Sequence, residues 1–209
     1  MIIAVDGPVA AGKGTLARRL AAHYGLAYLD SGSLYRAVAL KLLRAGAALA
    51  DVAAATAAAG ALTPADLSDP ALRDEATAAG SSVVAAIPEV RAALLDYQRR
   101  FAHTPPGAVL DGRDIGTVVC PDATVKLYVT ANAAVRARRR YEEIRARGGR
   151  ETYEQVLADL EARDARDAGR AAAPLKPAAD AHLLDTSDLA IDGAFAAAQA
   201  LIEGVLRRY

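Results

Sequence analysis

Short apolar runs alternate along the chain with longer stretches of helical character, the pattern of an α/β protein with a parallel sheet. The first run is continuously apolar, as expected for a strand that is covered on both faces. Five runs are predicted as strands: Ile2–Asp6, Leu26–Asp30, Gly107–Asp111, Val125–Val129 and Ala181–Asp185. In open parallel sheets ligands bind outside the carboxyl ends of the strands, so the aspartates that end several of these runs mark where chemistry is expected.

Helical character is predicted between these runs. The predicted helices are Lys13–Tyr24, Gly32–Ala45, Pro88–Phe101, Ala133–Arg147, Thr152–Asp167 and Gly193–Arg208. Residues 46–80 are rich in alanine and punctuated by glycine and proline, which predicts a helical insertion outside the sheet. The predicted fold class is therefore α/β, a five-stranded parallel sheet flanked by helices on both faces.

Composition limits the classes of function. The chain has 209 residues, enough for one domain with a small insertion. Its formal net charge is +0 and only 5% of its residues are aromatic, so a nucleic-acid partner is not expected. The one cysteine, Cys120, suits a reducing compartment, and the apolar run at the N-terminus is too short for a signal peptide or a spanning helix. We expect a cytoplasmic protein without a membrane partner.

A phosphate-binding loop follows the first predicted strand and precedes the first predicted helix. Its spacing is that of G-x-x-x-x-G-K, in which backbone amides cradle phosphate oxygens and the lysine reaches the β- and γ-phosphates. Residue 14 is glycine, so the hydroxyl that binds Mg²⁺ in most such loops is absent, and Mg²⁺ is expected to be held mainly by ATP phosphates and water. The predicted ATP-binding residues are Gly7, Pro8, Val9, Ala10, Ala11, Gly12, Lys13, Gly14 and Thr15.

Further motifs resemble those of one family. They are Gly12-Lys13-Gly14-Thr15, Asp30-Ser31-Gly32 with Tyr35-Arg36, Ser82 with Val90-Arg91, Asp111-Gly112-Arg113-Asp114, and Arg163-Asp164 through Arg170 with Ala173-Pro174-Leu175. Together they are similar to bacterial cytidylate kinase, a P-loop nucleoside-monophosphate kinase family, over nearly the whole chain except about residues 45–70. The resemblance implies the P-loop NTPase fold, ATP and Mg²⁺ as cofactors, and phosphorylation of CMP and dCMP.

The resemblance also implies a set of site residues. Arginine suits a phosphate site because its planar fork donates paired hydrogen bonds and keeps its charge. The catalytic residues implied are Lys13, Arg36, Arg113, Arg163 and Arg170. The CMP-binding residues implied are Ser31, Tyr35, Arg36, Ser82, Arg91, Asp111, Gly112, Arg113, Asp114, Arg163, Asp167 and Arg170. Among them Asp167 is implied to meet the sugar hydroxyls.

Asp114 is the candidate for recognising cytosine. Cytosine carries an exocyclic amine where uracil carries a carbonyl oxygen. A buried carboxylate accepts a hydrogen bond from that amine and is left unpaired by uracil, which makes the discrimination large.

The predicted lid covers about residues 136–152 and begins with a run of arginines. In related kinases this region closes over ATP. Arg136 and Arg140 are four residues apart and share a helix face, so we expect Arg136 near the adenine and Arg140 near the phosphates, with Arg139 as a further candidate.

The insertion that carries the acceptor nucleotide is expected to be reduced. Many relatives have a small three-stranded sheet there, and Leu62–Leu67 is the one candidate for its remnant. We therefore expect a single domain over 1–209, with a core at 1–45 and 86–209 and the insertion at about 46–85.

Two other functions stay open at the level of sequence. One is another small-molecule kinase on the same fold, for UMP, AMP or shikimate. The Asp111–Asp114 segment argues against this alternative. The other is a nucleotide-sensing P-loop module that binds without transfer. It would leave the acceptor-side arginines without a purpose. The expected partners are small-molecule nucleotides, and the expected state is a monomer.

Overall fold

The computed structural model describes residues 1–207. Five strands form one parallel sheet in the order β2-β3-β1-β4-β5. The strands are β1 Ile2–Asp6, β2 Ala27–Asp30, β3 Ala108–Gly112, β4 Val125–Thr130 and β5 His182–Asp185. The sequence predicted each of them to within one residue at either end.

Eight α-helices surround the sheet in the described part of the chain. They are α1 Lys13–Tyr24, α2 Ser31–Arg44, α3 Val52–Gly60, α4 Glu75–Val84, α5 Pro88–His103, α6 Ala133–Ala146, α7 Tyr153–Gly169 and α8 Ile191–Leu206. The prediction for the last helix extended to Arg208, which lies outside the described residues. Each helix that the sequence predicted is present, with ends that differ by up to two residues.

Apolar side chains on both faces of the sheet explain why the strands read as continuous apolar runs. Ile3 and Val5 of β1 pack in a core cluster with Leu16 and Leu20 of α1. Ala4, between them in sequence, packs in a second cluster that includes α2 and α5. Because successive side chains of a strand point to opposite faces, both faces of a covered strand must be apolar.

Residues 46–85 contain helices and short turns, and no described residue among them belongs to the sheet. The expectation that Leu62–Leu67 is a strand remnant is wrong. Thr63 donates hydrogen bonds to Asp66 from its backbone nitrogen at 2.7 Å and from its hydroxyl at 2.8 Å, which closes a turn. A 3₁₀ turn follows at Asp66–Ser68.

One element between β3 and β4 has no counterpart in the sequence-based prediction. It is a π-helix at Ile115–Val119, directly after Asp114. The Asp6 carboxylate at the end of β1 accepts hydrogen bonds from the backbone nitrogens of Ile115 at 2.8 Å and Gly116 at 2.7 Å. Asp6 therefore ties the segment after β3 to the start of the phosphate loop.

Among residues 1–207, no single helix is long and apolar enough to cross a bilayer. By length and composition alone, the pair α4 and α5 passes the same test, with a bend of 100° between them.

Candidate functional site

The loop between β1 and α1 has the backbone of a phosphate cradle. Gly7 has a φ of 147°, and a Cβ on it would lie 1.9 Å from the carbonyl oxygen of Val129, so only glycine fits. Gly12 is left-handed, with a φ of 87°, and immediately precedes α1. The loop is thereby turned over the N-terminus of α1, where unpaired amides and the helix dipole favour an anion.

Lys13 is the first residue of α1 and is buried, with 5% of its surface exposed. Its ammonium group donates a hydrogen bond to the Pro8 carbonyl at 2.7 Å. Burial, and next the positive charge of Arg113, lower the pKa of Lys13 to about 7, while Asp111 and Asp6 act in the opposite direction. A phosphate placed here would restore the charge that the protein alone disfavours.

A cavity of about 190 Å³ lies beside Lys13. Every residue that the sequence analysis assigned to CMP binding lines it, although these residues come from distant parts of the chain. They are Ser31, Tyr35, Arg36, Ser82, Arg91, Asp111, Gly112, Arg113, Asp114, Arg163, Asp167 and Arg170. We call it the acceptor cavity.

Asp114 is 5% exposed and forms an ion pair with Arg91 of α5. Arg91 also donates a hydrogen bond to the Ala85 carbonyl at 3.2 Å, and its guanidinium group lies 5.5 Å from the ring centre of Tyr35. Arg91, itself held by the Ala85 carbonyl and the Tyr35 ring, thus fixes the Asp114 carboxylate at the wall of the acceptor cavity. The Asp114 carboxylate is therefore held in place before any ligand binds.

Asp167 of α7 is 3% exposed and lies among cationic side chains. Its carboxylate accepts hydrogen bonds from Ser82 Oγ at 3.3 Å and Arg113 Nε at 3.1 Å. Burial alone would raise the pKa of Asp167, but Arg113, Arg170 and Arg163 outweigh burial and lower it. Asp167 is therefore ionised near neutral pH and holds Arg113 at the cavity.

Two arginines keep unused hydrogen-bond donors. Within residues 1–207, Arg163 Nε and Arg170 Nη2 are buried without a hydrogen-bond partner. The nearest carboxylate oxygen to Arg170 Nη2 in an ion pair is Asp167 Oδ1, at 3.7 Å. Burial, followed by the charge of Arg113, lowers the pKa of Arg163 to about 10. Buried donors and crowded positive charge together favour an anionic ligand in this cavity.

Arg36, unlike Arg163 Nε and Arg170 Nη2, already donates a hydrogen bond to a carboxylate of the protein. It pairs with Asp30, which ends β2 and also caps α2 by accepting a hydrogen bond from the Ser33 nitrogen at 3.2 Å. Asp30 is thus a helix cap as well as a partner for Arg36. A phosphate would have to share Arg36 with Asp30.

The lid arginines occupy three different environments. Arg136 is 7% exposed and donates hydrogen bonds to the Val9 carbonyl at 3.1 Å and to Asp164 Oδ2 at 2.6 Å, so it contacts the phosphate loop. Arg139 donates to the Thr186 carbonyl at 2.6 Å, away from the acceptor cavity. Arg140 pairs with a glutamate of α4, Glu75, and with Glu143 of its own helix.

A larger cleft of about 1320 Å³ adjoins the acceptor cavity. Both are lined by Val9, Asp30, Arg36, Arg113 and Arg163, so the two spaces are continuous. Arg140 and residues of α4 also line the cleft. The acceptor cavity alone is smaller than the ~300–1,000 Å³ of typical ligand sites, but together they offer room for two nucleotides.

The sequence analysis missed residues whose roles appear only in three dimensions. Asp6 anchors the π-helix, Asp164 pairs with Arg136, and the Tyr28 hydroxyl donates a hydrogen bond to Asp111 at 2.9 Å. Asp6 carried a sequence signal, since it ends the strand before the phosphate loop. Tyr28 carried none, because nothing local links it to residue 111.

The parallel sheet, the phosphate loop after its first strand and the arginine-lined cavity beside Lys13 define a P-loop kinase. Two solved structures share the fold. An uncharacterized protein from Eubacterium ventriosum has a TM-score of 0.55 at 14% identity, covering 98% of each chain. A putative kinase from Chloroflexus aurantiacus has a TM-score of 0.50 at 15% identity, covering 97% of this chain and 96% of its own.

The chain belongs to the cytidylate kinase family, whose model it matches over residues 3–203. It is 62% identical to a cytidylate kinase of Paramagnetospirillum magneticum strain AMB-1, over 96% of this chain and 97% of that one. It is 58% identical to a cytidylate kinase of Rhodopseudomonas palustris strain BisA53, over 98% and 97% of the two chains.

Proposed function

We propose that the protein transfers the γ-phosphoryl group of ATP to CMP, and also to dCMP, in pyrimidine nucleotide metabolism. One observation carries the proposal: a cavity beside the buried Lys13 collects five arginines, Arg36, Arg91, Arg113, Arg163 and Arg170, from separate parts of the chain. Phosphoryl transfer requires positioning and charge stabilisation more than covalent chemistry, and this arrangement supplies both.

On the donor side, residues Gly7–Thr15 would wrap the triphosphate, with Lys13 at the β- and γ-phosphates. Arg136 supports the loop through the Val9 carbonyl and is proposed to lie beside the adenine. Arg140, with Arg139 as a further candidate, is proposed to contact ATP near the phosphates. Each is engaged by protein groups in this structure, so ATP would compete for them.

On the acceptor side, Arg36, Arg113, Arg163 and Arg170 are proposed to hold the 5′-phosphate and the transferring group. Asp114 would accept a hydrogen bond from the cytosine amine, with Arg91, Tyr35 and Ser82 around the base. Asp167 would meet the sugar. Ser31, Asp111 and Gly112 complete the wall, where the Ser31 hydroxyl donates to the Asp111 carbonyl at 2.8 Å.

The reaction makes one bond and breaks one bond. A 5′-phosphate oxygen of CMP attacks the γ-phosphorus of ATP, while the bond from that phosphorus to the β,γ-bridging oxygen breaks and the electron pair leaves with ADP. The three equatorial oxygens carry negative charge throughout. Lys13, Arg113 and Arg163 are the cations proposed to stabilise that charge.

Mg²⁺ fits this site as a companion of ATP rather than as a resident ion. Residue 14 has no hydroxyl, and the described residues contain no group of three or more His, Cys, Asp or Glu side chains that could hold a metal. Asp111 is the buried carboxylate closest to the loop glycine at residue 14. When bound, Mg²⁺ would neutralise part of the triphosphate charge and be held by ATP and water.

The remaining proposals concern the chain as a whole. We propose one catalytic domain with its core at 1–45 and 86–209, an acceptor-binding insertion at about 46–85 and a lid at about 136–152. It would act as a cytoplasmic monomer on small nucleotides, without nucleic-acid or membrane partners. Light scattering on purified protein tests the monomer, for which the expected mass is 21.6 kDa.

A panel of acceptors tests the proposed reaction. ATP-dependent phosphorylation of CMP, dCMP, UMP, AMP and shikimate would be followed by ADP release, with the Lys13→Ala variant as the blank. We expect turnover of CMP and dCMP well above the others. If CMP, dCMP and UMP all remain unconverted, the proposal is wrong, whereas ATP binding without any turnover would indicate a sensing module.

A further inference from the structure

The space beside Gly14 is bounded by polar groups from three other positions. A Cβ placed on Gly14 would lie 3.6 Å from Asp111 Oδ2, 3.7 Å from the Tyr28 hydroxyl and 3.7 Å from Arg18 Nη2. Most phosphate loops carry a serine or threonine hydroxyl at this position. Here a tyrosine of β2, Tyr28, places its hydroxyl beside this position.

Tyr28 holds Asp111 in one orientation. Its hydroxyl donates a hydrogen bond to Asp111 Oδ1 at 2.9 Å, which leaves Oδ2 as the oxygen that faces Gly14. Within residues 1–207 this is the one hydrogen bond to the Asp111 carboxylate. The Arg18 guanidinium lies 5.5 Å from the centre of the tyrosine ring and stabilises the ring through a cation–π contact.

The strand register explains why a residue of β2 reaches a carboxylate of β3. Asp30 and Asp111 are paired at the ends of neighbouring parallel strands, and Tyr28 lies two residues before Asp30 on the same face of β2. Its long side chain extends along the sheet toward the carboxyl end. Asp111 is 7% exposed, so its carboxylate has few alternative partners.

We propose that Tyr28 is a positioning residue of the phosphate-donor site. Its hydroxyl directs the Asp111 carboxylate toward the phosphate loop and toward the hydrated cation of bound ATP, and so compensates for the missing hydroxyl at residue 14. The inference rests on the proposed function for its catalytic consequence, but the contact between Tyr28 and Asp111 can be tested without nucleotide.

The first test titrates Asp111 in the free protein. Burial, and next the charge of Asp30, raise the pKa of Asp111 to about 6, and the Tyr28 hydrogen bond opposes this rise. Carboxyl NMR of the Tyr28→Phe variant should therefore show the pKa of Asp111 above its wild-type value. Tyr24→Phe is the matched control, because the Tyr24 hydroxyl has no hydrogen-bond partner among the described residues and should leave that pKa unchanged.

The second test measures steady-state kinetics. Tyr28→Phe should lower kcat/KM for MgATP by roughly tenfold, the order expected when a hydrogen bond to a charged group is lost. KM for CMP should change by less than kcat/KM for MgATP, since Tyr28 does not line the acceptor cavity and Asp111 is one of many residues that do. Tyr24→Phe should behave as wild type.

A third test introduces a hydroxyl at residue 14 itself, with the Gly14→Ser variant. A Cβ on Gly14 makes only ordinary contacts and its φ is not left-handed, so Gly14→Ser can be accommodated. The loss caused by Tyr28→Phe should be several-fold smaller in the Gly14→Ser background than in the wild type. A double-mutant cycle over the two positions measures this difference.

The inference is overturned if the pKa of Asp111 is the same in Tyr28→Phe and wild type. It is also overturned if Tyr28→Phe leaves kcat/KM for MgATP unchanged. The same holds if Tyr28→Phe lowers kcat/KM for MgATP by the same factor in the wild-type and Gly14→Ser backgrounds. Failure of the wild type to phosphorylate CMP would instead refute the proposed function, and the Asp111 titration would still decide whether Tyr28 controls that carboxylate.

Discussion

At the scale of single residues, the buried charges of the site fall into two groups: charges already paired within the protein, and charges that still lack a full partner. Asp114 and Asp167 are held by arginines of the protein, so they are oriented before a ligand binds. Lys13, Arg163 and Arg170 keep either a lowered pKa or an unused donor. We expect the paired carboxylates to give rigid recognition of a ligand. We expect the remaining cations to give affinity for anions, because binding relieves the cost of burying charge.

The first residue-scale prediction concerns base selection. Asp114→Ala should lower kcat/KM for CMP by roughly a hundredfold and for UMP by much less, because only cytosine offers an amine to the carboxylate. Asp114→Asn, which keeps the shape and supplies both a donor and an acceptor, should also narrow the CMP-to-UMP preference. Competition assays with both substrates measure the ratio, and an unchanged ratio in both variants would refute this role for Asp114.

The second residue-scale prediction concerns pH. ATP phosphates bound beside Lys13 are expected to raise its pKa from about 7 in the free protein, so the binding energy from this charge should be fully present below pH 7. It is lost progressively as pH rises from about 7 to the pKa of the complex. The dissociation constant for ATP should increase above pH 7 by up to about tenfold per pH unit.

Calorimetry between pH 6.5 and 9, in buffers that differ in ionisation enthalpy, measures both the affinity and the proton uptake. Lys13→Met should bind ATP more weakly and should show neither the rise of the dissociation constant with pH nor the proton uptake. If the dissociation constant for ATP still rises with pH in Lys13→Met, the titrating group is not Lys13.

At the scale of elements, single side chains connect the donor and acceptor parts of the site. Asp6 ends the strand that leads into the phosphate loop, and it also binds the first two amides of the π-helix after Asp114. Helix α7 carries Arg163 and Asp167 four residues apart on one face, with Arg170 directly after its end. A displacement of the π-helix would therefore move the segment next to Asp114, and a displacement of α7 would move Arg163 and Asp167 together.

The element-scale prediction is a test of the π-helix anchor. Asp6→Asn can accept a hydrogen bond from only one of the two backbone amides, and its own NH₂ would face the other. An unsatisfied buried donor costs about 1–3 kcal/mol. We expect a Tm lower by several degrees and a raised KM for CMP, since Asp114 directly precedes the π-helix.

Thermal unfolding and CMP titration check this expectation. The control is Asp96→Asn on an exposed part of α5, which makes the same chemical change away from the site. Equal behaviour of the two variants would mean that the Asp6 contacts add nothing to stability or CMP binding.

At the scale of the whole molecule, an ion pair joins two parts of the chain that line the large cleft. Arg140 of α6 contacts Glu75 of α4, so the proposed lid and the proposed acceptor-binding insertion touch before any nucleotide is bound. An arginine that is neutralised in this way is less available to ATP. The pair is partly exposed, with side-chain exposures of 20% and 48%, so its contribution is expected to be modest.

The molecule-scale prediction follows from this competition. Glu75→Gln should free Arg140 from one of its two carboxylate partners and lower KM for ATP by up to about fivefold, the range expected for a partly exposed pair. Glu142→Gln makes the same charge change at an exposed position of α6 and should leave KM for ATP near the wild-type value. A KM for ATP that rises in Glu75→Gln would show that the contact assists binding instead.

Local sequence patterns predicted most of the architecture. Strand positions followed from apolar runs, and α5 begins at the predicted Pro88, because proline is compatible with the first helical turn. The Leu62–Leu67 prediction failed because the turn made by Thr63 and Asp66 outweighs the apolar residues around it. The π-helix was missed because its geometry depends on Asp6, more than a hundred positions away in sequence.

The amino-acid sequence by itself determined the parallel sheet and the phosphate loop, because short-range periodicity and motif spacing act within one element or one turn. The resemblance of its motifs to a known family singled out the arginines that line the acceptor cavity. Only the tertiary structure decided which charges are already paired, as Arg36 and Arg140 are, and which keep free donors. It also decided that Tyr28 reaches Asp111, since pairing, burial and pKa depend on distances between residues that folding alone brings into contact.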